Sequence, residues 1–161
     1  RRRAVTGMRK CLWVLLALLL LSGCGAQTRE LPPPAQLFAV IQAEVELPEM
    51  IDTAGTELEA LTGIGPELYE SAVCYRLREG IAPDEIILVR GRDEGAAAAI
   101  QERLEKRLEY KQGSGRLYLT EYQPMLQAGV VRRDGLTVSL IVSGQVDQIQ
   151  RICGGLTGSG G

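Results

Sequence analysis

The side chains able to do chemistry in this chain are carboxylates, thiols, hydroxyls and amines, because its 161 residues include no histidine. Histidine is the commonest general base and a common zinc ligand, so its absence excludes a Ser-His-Asp triad, a Cys-His pair and an HExxH site. Paired acids such as Glu44 with Glu46, or Asp84 with Glu85, leave a carboxylate-dependent envelope hydrolase as one alternative. A solvated surface is the simpler interpretation, and we expect no catalytic residue, no metal ligand and no cofactor.

The N-terminal segment has the pattern of a secretory signal peptide. Two basic residues, Arg9 and Lys10, precede an unbroken apolar run of 11 residues at positions 11–21. A helix that spans a bilayer needs about 20 apolar residues, so this run is too short for one. We therefore interpret residues 1–23 as a cleaved leader, with an over-extended start before Met8.

A thiol lies directly after this apolar run, in the segment Leu21-Ser22-Gly23-Cys24. The segment resembles the lipobox of bacterial lipoproteins, in which a diacylglyceryl group is attached to the cysteine through a thioether. The small residues before the cysteine give a membrane-embedded peptidase access to the bond that it cleaves. Two acyl chains such as palmitate anchor a protein stably, since each buried CH₂ contributes about 0.8 kcal/mol. The pattern predicts lipidation of Cys24 and a location on the extracytoplasmic face of the cell membrane.

The segment Gly63-Ile64-Gly65-Pro66 looks like the hairpin of a helix-hairpin-helix, a DNA-binding motif whose backbone N–H groups bind a phosphate. A second helix over residues 69–78 would then supply Arg76 and Arg78 as further phosphate contacts. The charge argues against this reading, because residues 24–161 carry 13 basic and 20 acidic side chains, and DNA binding depends mainly on Lys and Arg. We favour a helix C-cap and turn here, and nucleic acid is not the expected partner, although surface DNA binding remains an alternative.

Hydrophobic periodicity and turn residues predict nine helices and strands in the order ααββααββα. This order predicts a small α+β domain whose helices pack on one face of a four-stranded, mainly antiparallel sheet. The helices are expected at 35–45, 56–62, 94–112, 120–128 and 145–152, and the strands at 71–77, 85–90, 130–133 and 136–143.

Residues 94–112 carry the clearest helix signal. An N-cap is available at Asp93, and Glu102 with Lys106 forms a favourable surface pair four residues apart. We assign Lys111 to the same charged surface. The apolar stripe of this helix consists of Ala97, Ile100, Leu104 and Leu108.

The strands are expected to differ in their burial. Residues 86–89 are apolar on both faces and predict a central strand. In the last hairpin, Asp134-Gly135 predicts a tight turn. Apolar residues then alternate with Thr and Ser from Leu136 to Ser143, which predicts one buried and one polar face.

The domain, residues 35–152, is expected to lie between two irregular segments. Residues 24–34 end in three prolines and predict an extended tether, and the Gly-rich residues 153–161 predict a flexible tail. Cys74 is expected to be a buried free thiol within a strand. A disulfide between Cys74 and Cys153 stays open as the less favoured alternative, because connectivity cannot be read from sequence.

The lipobox is followed in order by Glu46-Leu47-Pro48-Glu49-Met50, Leu61-Thr62-Gly63-Ile64-Gly65-Pro66, Ala82-Pro83-Asp84-Glu85-Ile86, Leu104-Glu105-Lys106-Arg107-Leu108, Tyr122-Gln123-Pro124-Met125-Leu126 and the strand Val138 to Ser143. This succession resembles the Gram-positive lipoprotein family known as domain of unknown function 4358. The resemblance extends over residues 34–152 and implies an anchored extracytoplasmic α/β domain, without assigning any activity or site residue. We therefore expect a non-enzymatic interaction module of the cell envelope, held to the membrane by its lipid and binding a protein or peptide.

Overall fold

A computed structural model of the chain describes residues 30–118 and 120–158. It confirms the predicted α+β class with an antiparallel sheet. The elements are, in order, α1 (Pro34–Glu44), β1 (Met50–Asp52), α2 (Ala54–Thr62), β2 (Tyr69–Leu77), β3 (Glu85–Gly91), α3 (Glu94–Tyr118), a 3₁₀ turn (Thr120–Tyr122), α4 (Gln123–Ala128), β4 (Val130–Asp134), β5 (Thr137–Val142) and α5 (Val146–Thr157).

The sheet of the described chain has five strands in the order β1-β2-β3-β5-β4, and every neighbouring pair is antiparallel. The strand at 85–90 was predicted to be central, and β3 confirms that prediction. The predicted number of four strands omits β1, which pairs Met50 with Leu77 and Asp52 with Tyr75. Three residues are too few to show an alternating pattern, so β1 had no periodic signal in the sequence.

Helices cover both faces of the sheet, whereas the sequence predicted that they pack on one face. On one face, Ile86 and Leu88 of β3 pack in a core cluster with α1 and α5. On the other face, Ile87 and Val89 pack in a second cluster with α2, α3 and α4. The physical reason is that apolar side chains project from both faces of the central strands, and each face must be shielded from water.

The last hairpin forms as predicted, but its turn and its burial differ from the prediction. Asp134 pairs with Thr137, so the two turn residues are Gly135 and Leu136, and Gly135 has a left-handed φ of 60°. The predicted polar face of β5 is buried, including Thr137 and Ser139. This burial follows because helices cover the second face as well; the Ser139 hydroxyl donates a hydrogen bond of 3.3 Å to the carbonyl of Arg132.

The described residues of both predicted irregular segments include some that pack in the core. Leu31, placed in the tether, is 3% exposed and belongs to the core cluster of α1. The tail was expected to begin at residue 153, but α5 continues to Thr157, with Cys153 and Thr157 buried. Packing of this helix against the sheet outweighs the low helix propensity of its two glycines.

The long helix α3 begins where the sequence predicts and ends later. The Asp93 carboxylate accepts a hydrogen bond of 2.8 Å from the backbone N–H of Ala96, which confirms the predicted N-cap. The helix ends at Tyr118 rather than near residue 112. The predicted helix 120–128 splits into the 3₁₀ turn and α4, and no side-chain cap closes the start of α4.

Candidate functional site

A buried carboxylate lies where β3 meets α3. Glu85 opens β3, and its side chain is fully buried. Arg107 on α3 donates two hydrogen bonds to it, from Nη2 to Oε1 at 2.8 Å and from Nε to Oε2 at 3.1 Å. This bidentate geometry is the strongest pairing that an arginine makes with a carboxylate.

Two further cations share the same carboxylate oxygen. Arg76 lies opposite Glu85 in the β2–β3 register and places Nε 3.5 Å from Oε1. Lys111, one turn after Arg107 on α3, places Nζ 3.6 Å from Oε1. At its outer end Arg76 also pairs with Glu57 of α2 at 2.5 Å. Two elements, β2 and α3, thus bring three positive charges to one buried negative charge on β3.

The surrounding cations keep Glu85 ionised. Burial by itself would raise the pKa of this carboxyl, but the hydrogen bonds from Arg107 and the charges of Lys111 and Arg76 outweigh it and lower the pKa below its usual value. Both oxygens of this ionised carboxylate accept a hydrogen bond from Arg107, and the side chain is buried from solvent. Glu85 is therefore placed to organise the cations rather than to transfer a proton.

Lys111 lies in a different environment from the one that the sequence predicted. It was assigned to the charged helix surface, but its side chain is only 13% exposed. Burial lowers the pKa of its ammonium, Glu85 partly restores it, and the positive charges of Arg107 and Arg76 lower it further. Lys106 does lie on the surface as predicted, and it pairs with Glu102 at 2.7 Å.

These cations line a pocket of about 280 Å³ between the loop after β2 and the α3 helix, which we call the cationic pocket. Its charged lining consists of Arg76, Arg107 and Lys111, and no acidic side chain of the described residues lines it. The rest of its lining includes the polar groups of Tyr110 and Ser114 and four apolar side chains. The apolar residues are Ile81, Ala82, Pro83 and Leu126.

The predicted acid pairs do not form a carboxylate dyad in this pocket. Asp84 is buried beside it, and burial raises the pKa of Asp84 while a backbone hydrogen bond and Lys111 partly offset the rise. Neither Asp84 nor Glu85 lines the pocket, and Glu44 lies in another depression, between α1 and α5. Within the described ranges no group of three or more Cys, Asp or Glu side chains is arranged to hold a metal ion.

Residues 43–143 match the family model described as domain of unknown function DUF4358. The chain belongs to this family. The match confirms the resemblance seen in the sequence, and it spans all five strands together with the Glu85 cluster. No curated protein and no solved structure matches the chain. Among the described residues, no helix has the combined length and apolarity needed to cross a bilayer.

The glycine motif of this DUF4358 chain is a helix end followed by a strand. Gly63 is the C-cap of α2 with a left-handed φ of 73°, and the N–H of Ile64 donates to the Thr62 hydroxyl at 3.1 Å. The carbonyl of Gly65 accepts a hydrogen bond of 3.1 Å from the N–H of Leu68. The second helix that the helix-hairpin-helix alternative requires does not form in the described chain, because residues 69–77 form β2, the strand predicted at 71–77.

The arginines proposed as phosphate contacts already have acidic partners. Arg76 pairs with Glu57 and Glu85, and Arg78 pairs with Glu49 at 3.0 Å. The alternation of residues from 71 to 77 favoured the strand that the structure contains. The DUF4358 fold therefore brings Arg76 to the cationic pocket and not to a phosphate-binding hairpin.

The two cysteines of the described DUF4358 domain are free and buried, as predicted for Cys74. Cys74 packs in the cluster with α3 and Cys153 in the cluster with α5, on opposite faces of the sheet, which accounts for the absence of a disulfide between them. Burial raises the pKa of the Cys74 thiol to about 11, so this group is inert at neutral pH. The predicted lipidation site, Cys24 with Leu21, Ser22 and Gly23, lies outside the described residues.

Sequence reasoning missed the cationic pocket of this DUF4358 domain, although one signal pointed to it. Arg107 and Lys111 follow Leu104 by three and seven residues, so they continue the buried stripe of α3. A cation at a core position of a helix requires a buried anion on the packed element. Glu85, at the start of the predicted central strand, was the acid best placed to provide it.

Proposed function

We propose that this chain is a lipoprotein anchored through Cys24 on the extracytoplasmic face of a cell membrane, where it binds an envelope protein or peptide and catalyses no reaction. The observation that carries the proposal is the succession of a basic segment, a short apolar run and Leu21-Ser22-Gly23-Cys24. These parts serve export, cleavage and lipidation in turn, so their order is more specific than any one of them.

The distance from the anchor to the domain supports a position close to the lipid. Leu31 packs in the core and lies seven residues after Cys24. Seven residues span at most about 25 Å, since an extended chain covers about 3.3–3.6 Å per residue. An anchored domain would therefore lie within reach of membrane-proximal partners, nearer than a long tether would place it.

Binding is favoured over catalysis by the state of the polar groups. Glu85 is held by Arg107, and the described residues that line the cationic pocket include neither a cysteine nor an acid that could serve as a nucleophile. The edge strands β1 and β4 leave unpaired backbone groups to which an extended peptide can add. Both features support recognition of a partner.

Mass spectrometry of the chain purified from the membranes of a lipoprotein-producing bacterium tests the anchor. We expect the mature chain to begin at Cys24 with a diacylglyceryl group on its sulfur. The C24A variant is expected to keep its leader and to lack lipid, while the C153A variant is processed and lipidated normally. An unmodified Cys24 with the leader still attached would contradict the proposal.

Crosslinking of the anchored chain in its own envelope tests the partner. We expect one or more envelope proteins or peptides to be captured with the wild-type chain and to be lost with C24A, which no longer holds the domain at the membrane. The non-catalytic part of the proposal is overturned if the purified chain turns over an envelope substrate and substitution of one Asp or Glu on its surface abolishes the turnover.

A further inference from the structure

We propose that the cationic pocket binds the carboxylate of a small organic acid or of a peptide end, with Lys111 as its main charged contact. Only the peptide version of this inference rests on the proposed function, because there the carboxylate is the group that an envelope partner presents. A free organic acid would bind by the same chemistry.

The charges around the pocket favour an anion. Arg76, Arg107 and Lys111 line it, while the nearby acids lie behind it or at its rim. Glu85 is fully buried at the back, and Glu57 lies at the outer end of Arg76 with 43% of its side chain exposed. An anion that enters the pocket therefore meets three positive side chains and no negative side chain of the described lining.

Lys111 has the least well satisfied charge of the three cations. Arg107 makes two hydrogen bonds to Glu85 at 3.1 Å or less, and Arg76 pairs closely with Glu57. The Lys111 ammonium lies 3.6 Å from Glu85, beyond ordinary hydrogen-bond length, although its side chain is almost buried. Burial of an ammonium beside two guanidinium groups is unfavourable, and a bound anion would offset that cost.

The size of the pocket and the apolar side chains in its lining select a carboxylate. A volume of about 280 Å³ is below the range of about 300–1,000 Å³ that is usual for drug-sized ligands, so the ligand must be small. The apolar side chains of Ile81, Ala82 and Pro83 in the lining suit a short organic body, and an inorganic ion would leave them without a contact.

Titration calorimetry on the full chain in non-ionic detergent tests the inference with four probes. They are N-acetyl-Ala-Ala with a free carboxylate, the same dipeptide as its C-terminal amide, propionate and inorganic phosphate. We expect the dipeptide acid to bind at least about tenfold more tightly than its amide and more tightly than phosphate. A dipeptide acid that binds more tightly than propionate identifies a peptide end as the source, and equal binding identifies a small organic acid.

Two variants locate the binding. K111M is expected to weaken binding of the dipeptide acid at least about tenfold, the effect of losing a charged contact, while K106M, which removes an exposed lysine from the same helix, leaves it unchanged. Because K111M alters a buried group, I81E provides a second test: Ile81 is 67% exposed at the pocket, and a negative charge there repels the ligand without disturbing the core. Q42E adds the same charge to the exposed Gln42 of α1, on the other face of the sheet, and is expected to have no effect.

The inference is overturned if the dipeptide acid and its amide bind equally, if neither carboxylate probe binds, or if I81E binds as tightly as Q42E. These measurements use purified chain and no membrane. A failure of lipidation at Cys24 would therefore leave them unaffected, and the two proposals can fail separately.

Discussion

Glu85 is the residue on which the charged cluster depends. We expect E85Q to destabilise the chain by about 3–5 kcal/mol, because a neutral amide would leave Arg107 and Lys111 buried without their counter-ion. Urea unfolding at pH 7 measures this change. E102Q is the matched control: it removes the exposed partner of Lys106, and it is expected to cost little stability because solvent screens exposed pairs of this kind. A loss in E85Q no larger than that in E102Q would show that the cluster is not electrostatically coupled.

Ionisation of the Cys74 thiol makes the free energy of unfolding depend on pH in the alkaline range. Burial raises its pKa from 9.0 to about 11 in the folded chain, so above pH 9 the unfolded state loses its proton first. The raised pKa of Cys74 therefore contributes fully to the free energy of unfolding below pH 9. This contribution is lost as the pH rises to about 11, by about 3 kcal/mol in total. Unfolding free energies under reducing conditions, measured for wild type and C74A from pH 8 to 11, test this sign.

The difference between the two proteins isolates the thiol, because the shifted Lys111 titrates in both and cancels. We expect the stability advantage of wild type over C74A to shrink steadily across this range. Parallel pH profiles would mean that the thiol ionises equally easily in the folded and unfolded states.

Single residues were predicted well where their partners lie nearby in sequence. The Asp93 cap and the Glu102–Lys106 pair involve positions three or four residues apart, and both are present. The Glu85–Arg107 pair joins positions 22 residues apart, across a strand, a turn and half a helix. Nothing local to Glu85 separates it from a solvated acid, which explains why the candidate site was missed.

At the scale of an element, the end of α2 tests the assignment of the Gly-Ile-Gly-Pro segment. We expect G63A to cost about 1–2 kcal/mol of folding free energy, since Gly63 has a φ of 73° that residues with a Cβ rarely adopt. G55A, near the start of the same helix, meets nothing within 4 Å and is expected to gain about 0.5–1 kcal/mol. Denaturant unfolding of both variants should give opposite signs, and equal effects would contradict the C-cap.

The elements that the sequence predicted are those with a long or repeated local signal. The apolar stripe of α3, the continuous apolar run of β3 and the final hairpin all gave recognisable patterns. β1 was not predicted, because it has only three residues and is held by pairing with β2. The end of α5 was predicted wrongly, because its glycines suggested a tail, whereas packing of Cys153 and Thr157 keeps the helix intact. In both cases tertiary contacts override local propensity.

At the scale of the whole molecule, the family match and the folded unit have different limits. The DUF4358 match covers residues 43–143 and therefore omits nearly all of α1 and the whole of α5. These two helices cover one complete face of the sheet, and their cluster contains Leu37, Ile41, Ile149 and the face of β3 that carries Ile86. An antiparallel sheet with two apolar faces needs helices on both faces. The segment that matches the family is therefore shorter than the folding unit.

Two fragments of the chain test this conclusion. We expect residues 43–143 alone to lose cooperative unfolding and to bind a hydrophobic dye, because Val73, Ile86, Leu88 and Ile141 would be exposed to water. Residues 30–158, which restore α1 and α5, are expected to unfold cooperatively and to leave the dye unbound. Denaturant unfolding, dye fluorescence and dispersion of amide NMR signals measure the difference. If the shorter fragment unfolds as cooperatively as the longer one, α1 and α5 are additions to a domain that is stable without them, and the sheet tolerates one bare face.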